Sequence, residues 1–298
     1  MENTITRSRR SRSTLENAIH GIFLVCGLAA VLAVLLISLY MIFSGGPAVA
    51  KIGVSDFLFG QVWDPETSRF GILPMILASI CATGLAILIA VPVGVCAAIF
   101  ITFLAGKRSG ELFLFFIQLL ASIPSVVYGL LGAILIVPAI FKLQTALGLP
   151  QSGSLTAASI VLVIMILPTI ISVSAASIKA VPKQYFDASL ALGSSRIQAI
   201  FKVVLPAAKS GVTAGIVLGV GRAIGETMAV LMVAGNAPIM PKLLEPVRLL
   251  TVGISMEWAY SSGSHREALL GIGLILFIFI MIINIVLGAI LKKGGVKR

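Results

Sequence analysis

Residues 72–104 read ILPMILASICATGLAILIAVPVGVCAAIFITFL, 33 positions without one Lys, Arg, Asp or Glu. About 20 mainly apolar residues cross the hydrocarbon core of a bilayer as a helix. This stretch is therefore a membrane span with length to spare. Five further runs at 21–43, 112–141, 155–178, 211–234 and 268–291 pass the same test. Composition agrees, since 58% of the 298 residues are hydrophobic and 11% charged, against roughly 25% charged in soluble domains. A soluble enzyme, a disordered chain and a disulfide scaffold are excluded. The fold class is an all-α membrane protein of six transmembrane helices. Pro74, Pro92, Pro124 and Pro138 fall in the second and third runs. An interior proline removes a backbone hydrogen bond and bends its helix, so kinks, broken ends or a short re-entrant stretch are predicted there.

The net charge of +11 is read from where the basic residues lie. Of the 22 Lys and Arg, 15 fall in the tails and in the connections after the second and fourth runs, and six in the opposite loops. Arg222 alone lies inside a run. Basic residues gather on the cytoplasmic side, which predicts both termini inside. The chain then divides into a basic tail (1–20), an anchor span (21–43) and an external loop (44–71). A core of five spans (72–291) follows, with a cytoplasmic loop at 179–210, then a basic tail (292–298). The first run is too long for the apolar region of a cleaved leader and follows an Arg-rich tail, so it reads as a retained anchor. Stacking aromatics and clustered base readers are absent, so the positive charge implies membrane lipid and no nucleic acid. Cys26, Cys81 and Cys96 lie within apolar runs without metal-type spacing, and no GxxxxGK[ST], HExxH or GxSxG occurs. Nucleotide hydrolysis by a P-loop is excluded for this chain.

The loop 179–210 reads KAVPKQYFDASLALGSSRIQAIFKVVLPAAKS. Pro182 opens a helix, with Asp187 near its N-terminal turns where negative charge suits the dipole. Gly193 interrupts it, Ser194 or Ser195 caps a second helix, and Pro206 stops that one. Ile197, Ile200, Phe201 and Val204 recur at helical spacing. The result is a protruding knob of two short helices. On periodicity alone, a helix pair resting on lipid headgroups fits equally well.

Arg222 and Glu226 are the charged residues inside the six runs. A lone Arg near the bilayer centre costs about 2.5–3.5 kcal/mol on insertion scales. The i,i+4 offset predicts Glu226 on the same helical face one turn away. Two readings stand at this point. The pair neutralises itself and fixes packing, or Arg222 offers a transient positive potential to an oxyanion while Glu226 keeps it from becoming a trap. A guanidinium matches a phosphate's geometry, and transport requires weak binding. Gly215, Gly219, Gly221 and Gly225 remove bulk around the pair and allow close helix approach.

Asp187-Ala188-Ser189, Gly193 and Val203-x-Leu205-Pro206 resemble, without a gap, the EAA-x3-G-x9-I-x-LP signature of ABC importer permeases. Phe57-Leu58-Phe59-Gly60 with Trp63-Asp64-Pro65 and Phe70-Gly71-x-Leu73-Pro74 resembles the entry into span two of phosphate permeases of the PstC type. Residues 123–130 (IPSVVYGL) and 221–230 (GRAIGETMAV) resemble that family's third and fifth spans. The resemblance runs from about residue 55 to the C-terminus. The sister PstA type shares the loop and span-five patterns, and the FLFG…WDP stretch favours PstC.

The resemblance implies a type I ABC importer permease in a bacterial or archaeal inner membrane. It implies a homologous PstA-type permease, a PstB-type ATPase dimer and a PstS-type periplasmic phosphate-binding protein as partners. ATP and Mg²⁺ would sit on the ATPase, leaving this chain without cofactor, metal or enzymatic step. Asp187, Ala188, Ser189, Gly193, Leu205 and Pro206 would form the coupling contact, and Arg222 and Glu226 would line the substrate path. The residues themselves support an oxyanion, and phosphate enters through the resemblance. A permease for another oxyanion, the PstA-type sister and a stand-alone secondary carrier are the alternatives.

Overall fold

The computed structural model describes residues 2–294, so Lys297 and Arg298 of the C-terminal basic tail lie outside the described residues. Among the described residues, five helices are long and apolar enough to cross a membrane: Ile19–Ile52, Leu73–Leu104, Ser125–Ala146, Leu155–Lys179 and Gly263–Val286. A bent pair, Arg196–Ala207 and Lys209–Gly225 meeting at 72°, passes the same test when its two parts are taken together, which brings the candidate crossings to six.

The first crossing belongs to α1 (Glu2–Ile52), which runs past the predicted end at residue 43. The extra turns exist because they pack. Ala48 and Val49 are buried, and a Cβ on Gly45 would lie 2.8 Å from Leu274 Cβ of α14 (Gly263–Gly294). Lys51 adds a 2.9 Å surface ion pair to Glu267. Before that contact α1 stands clear of the bundle, with Phe23 70% and Phe43 74% exposed. A helix apolar all round and bare of neighbours belongs in lipid.

A short α2 (Val54–Phe59) then leads into a two-stranded hairpin, β1 (Trp63–Asp64) against β2 (Arg69–Phe70), with Trp63 opposite Phe70. Next comes α3 (Leu73–Ile99), extended by a π-helical turn at Phe100–Leu104. Pro74 sits in its first turn, where no N–H partner is needed, and Pro92 is carried inside without a break. Pro124 does break the chain. The predicted third run divides into α4 (Lys107–Ser122) and a crossing built from α5 (Ser125–Leu131), a π turn and α6 (Val137–Ala146). Tyr128 donates across the break to the Leu120 carbonyl at 2.6 Å.

The bundle is organised on α7 (Leu155–Lys179), buried along most of its length. Ala78, Ala82, Ala86 and Ala90 of α3, all fully buried, recur every four residues within the same core as Ala158, Leu162 and Ile166 of α7. On its other side lies α11 (Lys209–Gly225). Ile170 is gripped from both: Cβ atoms on Gly94 and Gly219 would lie 2.8 and 2.9 Å from its side chain. Lipid tails are as apolar as these side chains, so close backbone approach supplies the attraction between spans.

At the hairpin end of the bundle, α13 (Leu250–Glu257) ends on a polar hub. The Glu257 carboxylate receives Arg248 Nη1 at 2.5 Å, Trp63 Nε1 at 2.9 Å and His265 Nε2 at 2.8 Å. Phe70 stacks on His265 with ring centroids 6.3 Å apart. The aromatic stretch read from sequence as part of a signature thus seals the hairpin onto α13 and α14. At the same end Gln144, fully buried, donates to the carbonyls of Ser152 and Leu244 at 3.1 and 2.7 Å.

Candidate translocation path and coupling knob

Seventeen residues of α11 rise about 25 Å, short of the ~30 Å hydrocarbon core. The helix stops at Gly225, and Glu226 is extended at φ −72°, ψ 129°. The chain resumes as α12 (Met228–Leu231). This break corrects the expectation of a continuous fifth span to residue 234 and of a helical i,i+4 pair. Arg222 and Glu226 form no ion pair; the four salt bridges among the described residues all lie elsewhere.

Each of the two charges has its own arrangement. Glu226, 8% exposed, accepts the Ala229 N–H on Oε1 at 3.1 Å, and its backbone carbonyl accepts the Thr251 hydroxyl at 2.9 Å. A carboxylate at the start of α12 is stabilised by that helix's unpaired N–H groups. Arg222 lies in the last turn of α11, where a cation faces the negative end of the helix. Nη1 makes one long bond, 3.3 Å, to Thr169 Oγ1 of α7. Arg222 is half-buried, and among the described residues most of its five donors have no partner. Gly215 and Gly219 hold α11 against α7 as expected, while a Cβ at Gly221 or Gly225 would meet nothing within 4 Å. The surface beside Arg222 is open.

At the other end of the bundle stands the knob. Pro182 leads into α8 (Lys183–Ala191), and Gly193 turns the chain at φ +87°, a region glycine enters without steric penalty. Ser195 caps α9 (Arg196–Ala199) in a reciprocal box with Gln198. Ser194 instead donates to the Ser189 carbonyl at 2.7 Å, closing the loop around Gly193. Pro206 does not end the second helix, which corrects the sequence expectation. A π turn at Ile200–Val204 precedes α10 (Leu205–Ala207), which has Pro206 in its first turn, and the bend comes at Ala208.

Asp187, Ala188, Gly193 and Pro206 are exposed, and Ser189 and Leu205 half-buried. Only half of the expected apolar stripe faces inward. Ile200 and Val204 are buried, whereas Ile197, Phe201 and, just past the end of α8, Leu192 are 69%, 51% and 90% exposed. An open groove of about 500 Å³ lined by Phe103, Leu104, Phe186, Arg196, Ile197 and Ile200 runs beside them. Exposed apolar side chains gathered on one projection mark a surface made to be covered.

The family described as "Binding-protein-dependent transport system inner membrane component" matches residues 90–293. The chain belongs to that family. It is a multi-pass inner-membrane permease component, and such a component is not by itself an enzyme. It is 37% identical over 288 residues to the probable ABC transporter permease protein YqgH of Bacillus subtilis, covering 93% of this chain and 92% of that protein. It is 34% identical over 298 residues to the phosphate transport system permease protein PstC of Pasteurella multocida, covering 93% and 91%. Among solved structures, a bacterial ABC transporter that imports alginate superposes with TM-score 0.59 at 15% identity, over 89% of this permease and 95% of that chain. The MetNI methionine transporter gives 0.54 at 18%, over 79% and 100%. These likenesses give the permease a type I ABC importer fold.

Sequence reasoning did not find Thr169, Thr251 or the Glu257 hub. Thr169 reads as a hydroxyl in an apolar helix, and Thr251 as one position of the long loop 236–266. Arg248 and His265 are brought onto the Glu257 carboxylate by the way α13 and the start of α14 fold against each other, in a stretch whose sequence carries no periodic signal.

Proposed function

We propose that this permease is one half of the translocation path of an ATP-driven importer of inorganic phosphate. Its PstC-type relatives, similar over nearly the whole chain, support phosphate as the cargo. The observation that carries the reading is Arg222, a cation in a membrane crossing whose one side-chain bond among the described residues goes to a neutral hydroxyl. A guanidinium left in lipid without an acidic partner is costly, and one beside a transient anion path has a function.

In this reading a PstA-type permease completes the path, with Arg222 and Glu226 lining it at the break in the fifth span. A PstS-type binding protein delivers phosphate at the hairpin end, which faces outward, and both termini lie in the cytoplasm. The knob, with Asp187, Ala188, Ser189, Gly193, Leu205 and Pro206, seats in a PstB-type ATPase, which alone holds ATP and Mg²⁺. ATP binding closes the ATPase dimer, the knobs move, and the path alternates between its inward- and outward-open forms. The exposed Leu192, Ile197 and Phe201 support this docking, since burial of each such side chain stabilises a complex by about 1.5–3 kcal/mol.

Arg222→Gln in the assembled transporter is expected to abolish phosphate uptake while the complex still forms and hydrolyses ATP. Normal uptake by this variant would refute the path assignment. Exchange of the two charges, Arg222→Glu with Glu226→Arg, is expected to abolish uptake as well, because the residues are not partners and occupy unlike sites.

A further inference from the structure

We propose that Thr169 of α7 is a second contact for the transported oxyanion, acting together with Arg222. The inference rests on the path reading of Arg222 and extends it to a neutral residue.

The argument starts from what helical hydroxyls do in this bundle. Ser79, Thr102, Ser159 and Ser177 each donate to the carbonyl four residues earlier, at 2.7–2.8 Å. That bond is the usual resting place of a hydroxyl hydrogen inside an apolar helix. Thr83, Ser172 and Ser174 depart from the pattern with buried hydroxyls that have no partner among the described residues, whereas Thr169 departs from it beside a charged group. Its oxygen accepts from Arg222 Nη1, and among the described residues it donates to no one. A hydroxyl carries one hydrogen and can donate it while it accepts. Acceptance from Arg222 leaves that hydrogen free.

Position makes the free hydrogen useful. Arg222 leans back along α11 toward Thr169, the direction that helical side chains take, so both donors end beside one another at one level of the bundle. The residue is neither fully buried nor exposed. Next to it, Arg222 has N–H groups without partners and no salt bridge to a carboxylate among the described residues. The corner thus offers an anion several N–H groups and one O–H, while the Glu226 carboxylate beyond the break is turned onto the Ala229 N–H. Such a corner binds an oxyanion at two points, one charged and one neutral. The neutral point matters for a transporter, because a second cation would deepen the well, whereas a hydroxyl adds direction with little added long-range attraction. Weak, directed binding permits both entry and release. The 3.3 Å length of the resting bond fits this role, since the anion has little to displace.

The test uses the whole transporter in proteoliposomes, with the second permease, the ATPase and the binding protein present. Uptake of labelled inorganic phosphate and ATP hydrolysis are measured together. Thr169→Val keeps the shape and removes the hydroxyl. It is expected to lower maximal uptake about tenfold, the weight of one hydrogen bond to a charged group. The half-saturating concentration stays unchanged because capture by the binding protein precedes this step. Assembly and ATP hydrolysis remain. Thr169→Ser restores the hydroxyl and is expected to recover uptake to near that of the unaltered protein, which a packing role would not allow. Wild-type uptake by Thr169→Val, or equal losses in the Val and Ser variants, overturns the inference. If Thr169→Val transports normally while Arg222→Gln does not, the path reading stands and Thr169 alone is excluded. If Arg222→Gln transports normally, the path reading itself falls.

Discussion

Glu257→Gln tests whether the polar hub holds the hairpin onto α13 and α14. One carboxylate there serves three donors: Arg248 on Oε1 at 2.5 Å, and Trp63 and His265 on Oε2 at 2.9 and 2.8 Å. Glutamine keeps the shape but offers one acceptor oxygen, and its amide nitrogen points donors at donors. Breaking a buried ion pair costs about 3–5 kcal/mol. Here the Arg248 and Glu257 side chains are 12% and 20% exposed, so water offsets part of the loss. An expected destabilisation of about 3 kcal/mol corresponds to a fall of roughly 6–12 °C in apparent melting temperature for a chain of this size. The chain has two tryptophans, and Trp63 lies in the hub itself. In a Trp258→Phe background, therefore, fluorescence reports the hub alone, with a red shift as Trp63 meets water. A midpoint that moves by no more than about 1 °C, with Trp63 emission unmoved, would refute the reasoning and leave the hairpin held by apolar packing alone.

Three further outcomes are expected. Gly219→Val drives methyl groups into Ile170, 2.9 Å from the new Cβ, and should destabilise the α7–α11 contact by about 1–3 kcal/mol; Gly84→Val, where nothing lies within 4 Å, should leave thermal stability unchanged. Gly193→Ala forces a side chain into φ +87° at a cost of about 1–2 kcal/mol. It should weaken co-purification of the ATPase, with partial recovery in Gly193→Asn, since Asn tolerates that region. The Thr67 hydroxyl, and after it the backbone N–H groups of Glu66 and Thr67, hold the Asp64 carboxyl below the ordinary aspartate value of 3.8. Its support for the hairpin turn is therefore complete above that value and lost as pH falls through the lower folded one. Limited proteolysis of the hairpin should increase only in that acid range, and Asp64→Ala should show the increase at neutral pH.

The spans were legible because hydrocarbon demands one thing of a sequence, an unbroken apolar run, and residues 72–104 and 155–178 meet it without ambiguity. Where spans stop was less legible. Gly225 ends α11 because Glu226 and Thr227 turn away to begin α12, yet Ile224 and Met228 are equally apolar on either side. Pro124 divides a run and Pro206 does not, since the π turn at Ile200–Val204 takes up the strain of the second. A count of apolar residues cannot separate those cases. The knob was legible as spacing, and Gly193 stands where that spacing requires a turn. The surroundings of Arg222 were not, because the identity of its partner depended on where α11 ends and how α7 lies beside it.

One consequence follows from the way α1 is attached. The segment Ile19–Ile52 measures about 51 Å along its axis, far longer than the hydrocarbon it crosses, and only its last turns grip α14. A rod pinned at one end accommodates a thicker or thinner bilayer by leaning more or less. The anchor can thus follow the bilayer by tilting about that hold without pulling on the bundle behind it.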